Sequence, residues 1–379
     1  MYYSLNFYQE VDKSRDKLLI GFINVSTPGL ALSIYDFDSE DFRWIDLSGL
    51  GENIYAISDI HHLESGYCLL AHVDNYDLIA FLDPNLNLSK CYRLNDTREP
   101  HSFIPFEDGF LVTDTKGNGI NRIQIQDDIL SENRYWSYDE EKENVDINSI
   151  ALFDGEVHVS ICGPKPKQGT WWEAIIQGWD SARNGKIMNI SNGKIICDNL
   201  IRPHSLVDVE GTLFWLESGT GLVHSFSQKH GCSSVIKLDG YLRGMAYDET
   251  YIYVASSAFR SVSGTTDDKA FTSNNRNIHC HIYRINRKDL KVETKRLTIF
   301  GNEIRGLTLI KSYGNLNELK TEGMDPILQR ILAYEKELAR NARVHAKLIQ
   351  EKEAILNSTS WKFSAPIRWI GKLLSKIKN

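Results

Sequence analysis

Residues 202–221 read RPHSLVDVEGTLFWLESGTG, and residues 99–119 read EPHSFIPFEDGFLVTDTKGNG. Each stretch contains Pro-His-Ser, continues through alternating apolar residues, and reaches an acidic residue thirteen positions after its histidine, Glu217 in one and Asp114 in the other. Alternation of this kind, broken by a turn that contains Gly or Asp, is typical of two antiparallel strands. The same phrase written twice, about a hundred residues apart, predicts a fold built from repeats.

Four weaker copies of the phrase extend the repeat to both sides. They read IHHLESGYCLLAHVD from residue 60, INSIALFDGEVHVS from 147, LRGMAYDETYIYVAS from 242 and IRGLTLI from 304. The second residue of each phrase gives six equivalent positions, 39 to 62 residues apart, namely His61, His101, Asn148, His204, Arg243 and Arg305. A period near 40–50 residues with several short strands in each unit predicts a β-propeller.

The two ends of the repeat predict how the ring closes. The last phrase, 304–310, is a single strand, whereas the beginning of the chain offers KLLIGFIN, ALSIYDF and FRWIDL without a first strand. Pairing strand 304–310 near Lys17 completes one blade and removes an exposed sheet edge. The sequence thus predicts an all-β, six-bladed propeller over 1–315; a two-layer sandwich is the alternative.

Composition and charge restrict the classes of function. The chain has 379 residues and a net charge of −7, and from Thr321 onward basic residues outnumber acidic ones by five. An acidic body with a basic end argues against a nucleic-acid-binding body. Six cysteines without a CxxC pair indicate free thiols, and the N-terminus lacks a signal-peptide pattern, so we expect a cytoplasmic protein.

The six equivalent positions should line the central channel, because the first strand of a propeller blade faces it. His61, His101 and His204 could bind a metal, most simply zinc, with an open position for water or substrate. The alternative is that these histidines bond neighbouring backbone and fill the channel.

Arg243 and Arg305 favour an anionic ligand at this site, such as a carboxylate, a phosphate or a sugar acid, because a guanidinium stays charged at neutral pH. Asn148 would add a polar contact. The alternative is that each arginine is held by a carboxylate of the channel.

The acidic residues thirteen positions after the histidines have two interpretations. Asp74, Asp114 and Glu217 could orient an imidazole ring from behind. They could also be turn residues that accept backbone N–H bonds in Asp-x-x-Gly connections.

Two long insertions should emerge beside the site. The segments 163–184 and 258–277 both follow a second strand, and the first carries Trp171 and Trp172. Exposed tryptophans are platforms for sugar rings, which predicts a lid that contacts a carbohydrate; elaborate structural loops are the alternative.

The C-terminal part predicts two further regions. Residues 316–358 have a helical composition with an imperfect heptad seam, typical of a stalk or coiled coil; a helix docked on the propeller wall is the alternative. Residues 359–379 carry five basic residues and no acid, which predicts an amphipathic helix on an anionic membrane surface; a partner-binding or intramolecular helix is the alternative. The side chains expected to contact the membrane are Trp361, Trp369, Ile370, Lys372, Leu373, Leu374 and Lys376.

Four resemblances to known families accompany these patterns. VTDTKGNGINRIQI (112–125) resembles the blade phrase of NHL and gluconolactonase-like propellers, and the PHS…SGTG…RG series is similar to a family of uncharacterised bacterial six-bladed propellers. Six-bladed amidating lyases hold a metal with histidines of their repeated blade phrases, and His61, His101 and His204 resemble histidines in that kind of position. The stretch STSWKFSAPIRWIGKLL resembles the tail of bacterial glycosyltransferases and methyltransferases of surface-polysaccharide assembly.

Together these patterns and resemblances predict a cytoplasmic propeller, peripheral to the inner membrane, that binds an anionic sugar or glycan intermediate in polysaccharide assembly. Polysaccharide-assembly enzymes would be its partners. The alternatives are a metal-dependent lyase or hydrolase that uses the histidines, and a scaffold without catalytic activity.

Overall fold

The computed structural model describes residues 17–23, 31–51, 54–74, 76–138, 145–164, 183–257, 280–297 and 303–310. The chain divides into two compact units, Met1–Leu316 and Asn317–Asn379, and every described residue belongs to the first. Within these ranges no helix has the length and apolar character needed to cross a membrane.

The described residues form strands almost throughout, with one 3-10 turn at Ser48–Leu50. Eight strands make up the largest sheet. They are β1 (Lys17–Ile23), β2 (Leu32–Asp36), β3 (Phe42–Trp44), β4 (Ile54–Leu63), β5 (Gly66–Val73), β6 (Tyr76–Leu82), β7 (Leu88–Leu94) and β24 (Glu303–Leu309).

Four further sheets have four antiparallel strands each. The second contains β8 (Phe103–Phe106), β9 (Gly109–Asp114), β10 (Gly119–Gln126) and β11 (Ile129–Ser137). The third contains β12 (Val145–Phe153), β13 (Glu156–Pro164), β14 (Gly185–Asn189) and β15 (Ile195–Leu200). The fourth contains β16 (Pro203–Val209), β17 (Thr212–Glu217), β18 (Leu222–Ser227) and β19 (Gly231–Lys237). The fifth contains β20 (Tyr241–Tyr247), β21 (Tyr251–Ser257), β22 (Cys280–Asn286) and β23 (Val292–Leu297).

The eight-stranded sheet consists of two sets of four strands. One set runs β24-β1-β2-β3 and the other β4-β5-β6-β7, and they meet at one paired position, Ile23 opposite Ala56. The predicted pairing of the two chain ends is confirmed, because Leu18 lies opposite Leu309 and the Ile310 N–H donates to the Lys17 carbonyl at 2.9 Å. The last described strand thus covers an edge that β1 would otherwise expose.

Burial decreases from the first strand of a set to the last. β12 is buried at nearly every position, whereas β15 and β19 are mostly half-buried or exposed. Neighbouring sets pack face to face: Phe153 of the third sheet belongs to one apolar cluster with Leu213 and Trp215 of the fourth. Such packing of successive sheets around their first strands gives an all-β, propeller-like architecture.

Candidate ligand-binding site

A cavity of about 550 Å³ runs along the first strands of the sets. Its lining includes all six equivalent positions that the sequence predicts, and neighbouring residues of the same strands: His61, His101, Asn148, His204, Arg243 and Arg305. The volume lies in the range typical of small-molecule sites.

A break in strand pairing positions three of these side chains. In β12, Ile147 and Ser149 have partners in β13, and Asn148 between them has none. Arg305 of β24 is left out of the pairing with β1 in the same way. In β20 the pairing passes over Arg243 and Gly244, and Gly244 has a left-handed backbone with φ of 76°. β-bulges of this kind bend a strand and re-aim its side chains, which is why they occur beside binding sites.

The register of the first copy differs from the sequence prediction. The positions of His101, Asn148, His204 and Arg243 lie eight residues before the next strand begins, and in the first copy that residue is Ser58. Ser58 is also one of the two residues of β4 that the pairing with β5 passes over. His61 lines the cavity three residues further along β4, opposite Cys68. The assignment of His61 as the equivalent of His101 was therefore wrong.

A chain of contacts joins the two remaining histidines. The Nδ1–H of His101 donates to the Asn148 Oδ1 at 2.5 Å, and the Asn148 amide donates to the Cys162 sulfur at 2.6 Å. That sulfur lies 4.0 Å from the Nδ1 of His204, which donates to the Pro203 carbonyl at 2.7 Å. Because both acceptors are oxygens without a hydrogen, each imidazole must carry its proton on Nδ1 when neutral, which leaves Nε2 as an acceptor.

Both histidines are neutral at physiological pH. Burial and the charge of Arg305 hold the pKa of His101 well below its usual range. Burial and the charges of Arg243 and Arg305 do the same for His204. Within the described structure the Nε2 of His204 makes no hydrogen bond, and an unsatisfied buried acceptor costs about 1–3 kcal/mol.

Cys162 is the thiol at the centre of this chain, but it is not an activated nucleophile. Burial raises its pKa to about 12, so the thiolate is scarce at neutral pH. Its contacts instead fix the positions of Asn148 and His204.

Arg243 is a buried cation of the cavity, with 6% of its surface exposed. Its Nη1 lies 3.2 Å from the Glu303 Oε1, its Nη2 donates to the Tyr241 hydroxyl at 3.4 Å, and its guanidinium lies 4.9 Å from the centre of the Tyr241 ring. The Glu303 contact lacks hydrogen-bond geometry, so the Nε–H and Nη1–H groups stay unsatisfied in the part of the chain described. The alternative that a carboxylate holds this arginine is therefore correct in part, and donors remain for a ligand.

The acidic residues do not orient the histidines of the cavity. Asp114 accepts the N–H groups of Arg98 and Gly117 at 3.0 Å each and contacts Arg134 at 2.6 Å. The turn interpretation is thus confirmed for Asp114, and the interpretation that this residue orients an imidazole ring was wrong.

Glu217 pairs with a histidine that the sequence analysis did not single out. Its Oε2 lies 2.8 Å from the Nε2 of His224, and its Oε1 accepts the Ile201 N–H at 2.8 Å. Its predicted partner, His204, lies opposite Leu216 and bonds elsewhere. Asp74 follows β5 in a left-handed conformation with φ of 49°, and among the described residues it does not line the cavity.

A metal site is not apparent in the described ranges, where no three His, Cys, Asp or Glu side chains are grouped closely enough to hold an ion. Of the predicted ligands, His101 and His204 are linked through Asn148 and Cys162, whereas His61 packs its ring on Phe103 at 4.5 Å. Zinc binding stays a prediction.

Several predicted residues lie outside the described ranges. They are Trp171 and Trp172, the helical stalk 316–358, and the tail 359–379 with Trp361, Trp369, Ile370, Lys372, Leu373, Leu374 and Lys376.

Several solved structures are similar in fold to this chain. A protein of unknown function from Bacteroides caccae is 10% identical, with a TM-score of 0.50 over 79% of this chain and 100% of that chain. A putative 6-phosphogluconolactonase from Bacteroides fragilis is 11% identical, with a TM-score of 0.45 over 79% and 99%. Virginiamycin B lyase from Staphylococcus aureus is 12% identical, with a TM-score of 0.43 over 77% and 92%. Likeness at such low identity concerns the fold alone.

Comparison at the level of sequence identifies the family. No curated protein matches the chain. The model of the family described as "domain of unknown function (DUF4915)" matches residues 109–310, which hold four of the six equivalent positions and more than half of the chain. This protein therefore belongs to the DUF4915 family.

Proposed function

We propose that the protein is a six-bladed β-propeller that binds an anionic sugar or glycan intermediate in its central cavity and serves surface-polysaccharide assembly at the inner membrane. The observation that carries the binding proposal is the cavity itself, in which Arg243 and Arg305 stand beside two neutral histidines. The six-bladed form is supported by the six sets of four strands and by the pairing of β24 with β1.

The charge of the cavity favours an anion over a cation. Arg243 cannot lose its proton at neutral pH, and Arg305 adds a second guanidinium to the cavity lining. A bound carboxylate or phosphate would accept charge-assisted hydrogen bonds from the unsatisfied Nε–H and Nη1–H of Arg243.

Replacing Arg305 by Met should weaken the binding of D-glucuronate, used as a probe, by at least about tenfold. A hydrogen bond to a charged group is worth about 1.5–3 kcal/mol, and Arg305 is only half-buried, so the variant should still fold. Isothermal titration calorimetry measures the affinity. The matched control is Arg296→Met, on the exposed side of β23. No binding of the probe by the native protein, or equal affinities of the two variants, would contradict the anion site.

Membrane association is proposed from the sequence of residues 359–379 and from the resemblance of this segment to the tails of surface-polysaccharide enzymes. Its basic residues are Lys362, Arg368, Lys372, Lys376 and Lys378. Each basic residue near an anionic surface contributes roughly 1 kcal/mol, and the attraction weakens as salt shortens the Debye length.

A chain that ends at Ser358 should no longer sediment with anionic liposomes at low salt, and its thermal unfolding should match that of the full chain. The full-length double variant Ile370→Glu/Leu374→Glu should behave in the same way, because it removes the apolar contact with lipid. Equal sedimentation of full and shortened chains would refute membrane binding by the tail.

A metal-dependent lyase or hydrolase is the second candidate. One observation favours it: His101 and His204 each donate Nδ1–H to an oxygen, which is how metal-binding histidines are usually oriented. Elemental analysis of protein purified without a histidine tag tests it, and stoichiometric metal that EDTA removes together with catalytic activity would replace the binding-protein proposal.

A further inference from the structure

Two buried groups of opposite hydrogen-bonding character line the same cavity. His204 and Arg243 are each 6% exposed and line it together. The Nε2 of His204 and the Nε–H of Arg243 make no hydrogen bond in the described structure. Tyr241 lies beside both. Its ring centre is 6.3 Å from the ring centre of His204 and 4.9 Å from the guanidinium of Arg243. The cavity therefore offers an unused acceptor and an unused donor side by side.

The role of the His204 nitrogen is fixed by its neighbour. The Pro203 carbonyl can only accept, so the hydrogen bond of 2.7 Å places the imidazole proton on Nδ1. In the neutral ring Nε2 can then only accept a hydrogen. A carboxylate or phosphate dianion has no hydrogen to give, so an anion alone would satisfy Arg243 and leave His204 unsatisfied.

We propose that the ligand carries a hydroxyl group beside its anionic group, and that His204 selects for this hydroxyl. The anion accepts hydrogen bonds from Arg243 and Arg305, and the hydroxyl donates to the Nε2 of His204. His101, whose Nδ1–H is likewise engaged by Asn148, offers a second acceptor for a neighbouring hydroxyl. The shared chemistry is that of a hydroxylated anion, either a sugar acid or a sugar phosphate. This inference rests on the proposed anion site and adds to it the residue that determines specificity.

Other hydrogen donors fit the cavity less well. An ammonium group or a metal ion could also satisfy Nε2, but each would stand beside the fixed charges of Arg243 and Arg305, and like charges repel. A neutral hydroxyl supplies the hydrogen without that repulsion.

The test compares probes that differ only in the relevant groups. Calorimetry on EDTA-treated full-length protein would use D-glucuronate, cyclohexanecarboxylate, D-glucose and glucose 6-phosphate. Cyclohexanecarboxylate keeps a six-membered ring and the carboxylate but has no hydroxyl, and glucose keeps the hydroxyls but has no charge. Glucuronate or glucose 6-phosphate should bind at least about tenfold more tightly than either incomplete probe, and the preference between these two distinguishes a carboxylate from a phosphate.

Replacing His204 by Phe should abolish the preference for glucuronate over cyclohexanecarboxylate, because the ring stays and the acceptor is lost. If this variant does not fold, nitrogen-15 NMR of histidine-labelled native protein gives the same answer. The resonance of the unprotonated ring nitrogen of His204 should shift on adding glucuronate and stay in place on adding cyclohexanecarboxylate. Equal affinity of native protein for these two probes would overturn the role of His204 while leaving the anion site intact. Failure of every anion to bind would overturn both.

Discussion

A chain that ends at Asn302 should not unfold as a cooperative domain, whereas a chain that ends at Leu316 should. The first lacks β24, and the second keeps the whole of the first compact unit. β24 contributes the buried side chains Ile304, Leu307 and Leu309. Losing a buried aliphatic side chain costs about 2–5 kcal/mol, so the loss of three is comparable to the entire stability of a typical domain, about 5–15 kcal/mol.

The expected loss is large because β24 joins two ends of the unit. It pairs with β1, and the Ile304 backbone also exchanges hydrogen bonds with the Ser257 hydroxyl at 3.1 and 3.3 Å. Without β24, β1 exposes an unpaired edge and the apolar cluster beneath it opens to water.

Urea denaturation followed by circular dichroism measures the difference between the two chains. A milder comparison within the full chain is Ile304→Ala/Leu307→Ala, which should lower the free energy of unfolding by about 4–8 kcal/mol. Equal urea midpoints for the chains ending at Asn302 and Leu316 would show that β24 does not hold the unit together.

The repeated phrase predicts the all-β fold and most of the cavity for one physical reason. The distance from an inward-facing residue to the start of the next strand, just after the turn, is constant at eight residues, as for His204 before Thr212 and Arg243 before Tyr251. A fixed count from the turn fixes the face on which a side chain lies. For that reason four of the six predicted positions occupy equivalent places. The fifth, Arg305, is left out of its strand pairing in the same way as Asn148.

The prediction is wrong for the sixth position, His61, because it follows the histidine rather than the spacing from the turn. Counting back from Gly66 leads to Ser58, but the serine carries no signal beside the adjacent pair His61 and His62. The bulge that turns Ser58 out of the pairing involves no special residue there. Sequence alone therefore favours the more reactive side chain over the one that the backbone selects.

The partners of the site residues could not be predicted from spacing. Cys162 lies on β13 and Tyr241 at the start of β20, and neither occupies the repeated position. They reach His204 because neighbouring sets pack side by side, which is a property of tertiary structure. Glu217 shows the same limit: it lies thirteen residues after His204, yet it bonds His224 on the adjacent strand.

We expect the second-largest loss of stability when the ion pair between Arg243 and Glu303 is broken. Both residues are almost fully buried, at 6% and 2% exposure, and their charged atoms lie 3.2 Å apart. Removing one member of a buried pair leaves the other charge in a low-dielectric environment, and such losses cost about 3–5 kcal/mol. We therefore expect Arg243→Met to lower the free energy of unfolding by this amount, although the substitution preserves most of the side-chain volume.

The matched control is an exposed ion pair with a shorter contact. Arg287 and Glu210 approach to 2.6 Å, but the Glu210 side chain is 68% exposed, and exposed ion pairs contribute little to stability because water screens them. Glu210→Gln should accordingly change the urea midpoint very little.

The double variant Arg243→Met/Glu303→Gln should recover part of the loss, since it removes the carboxylate that Arg243→Met leaves behind. A small loss of stability in Arg243→Met would mean that Arg243 is held for its ligand rather than for Glu303. The same would follow if the loss of stability in the double variant equalled the sum of the losses in the two single variants. Burial, not distance, should therefore decide which of the two pairs the fold depends on.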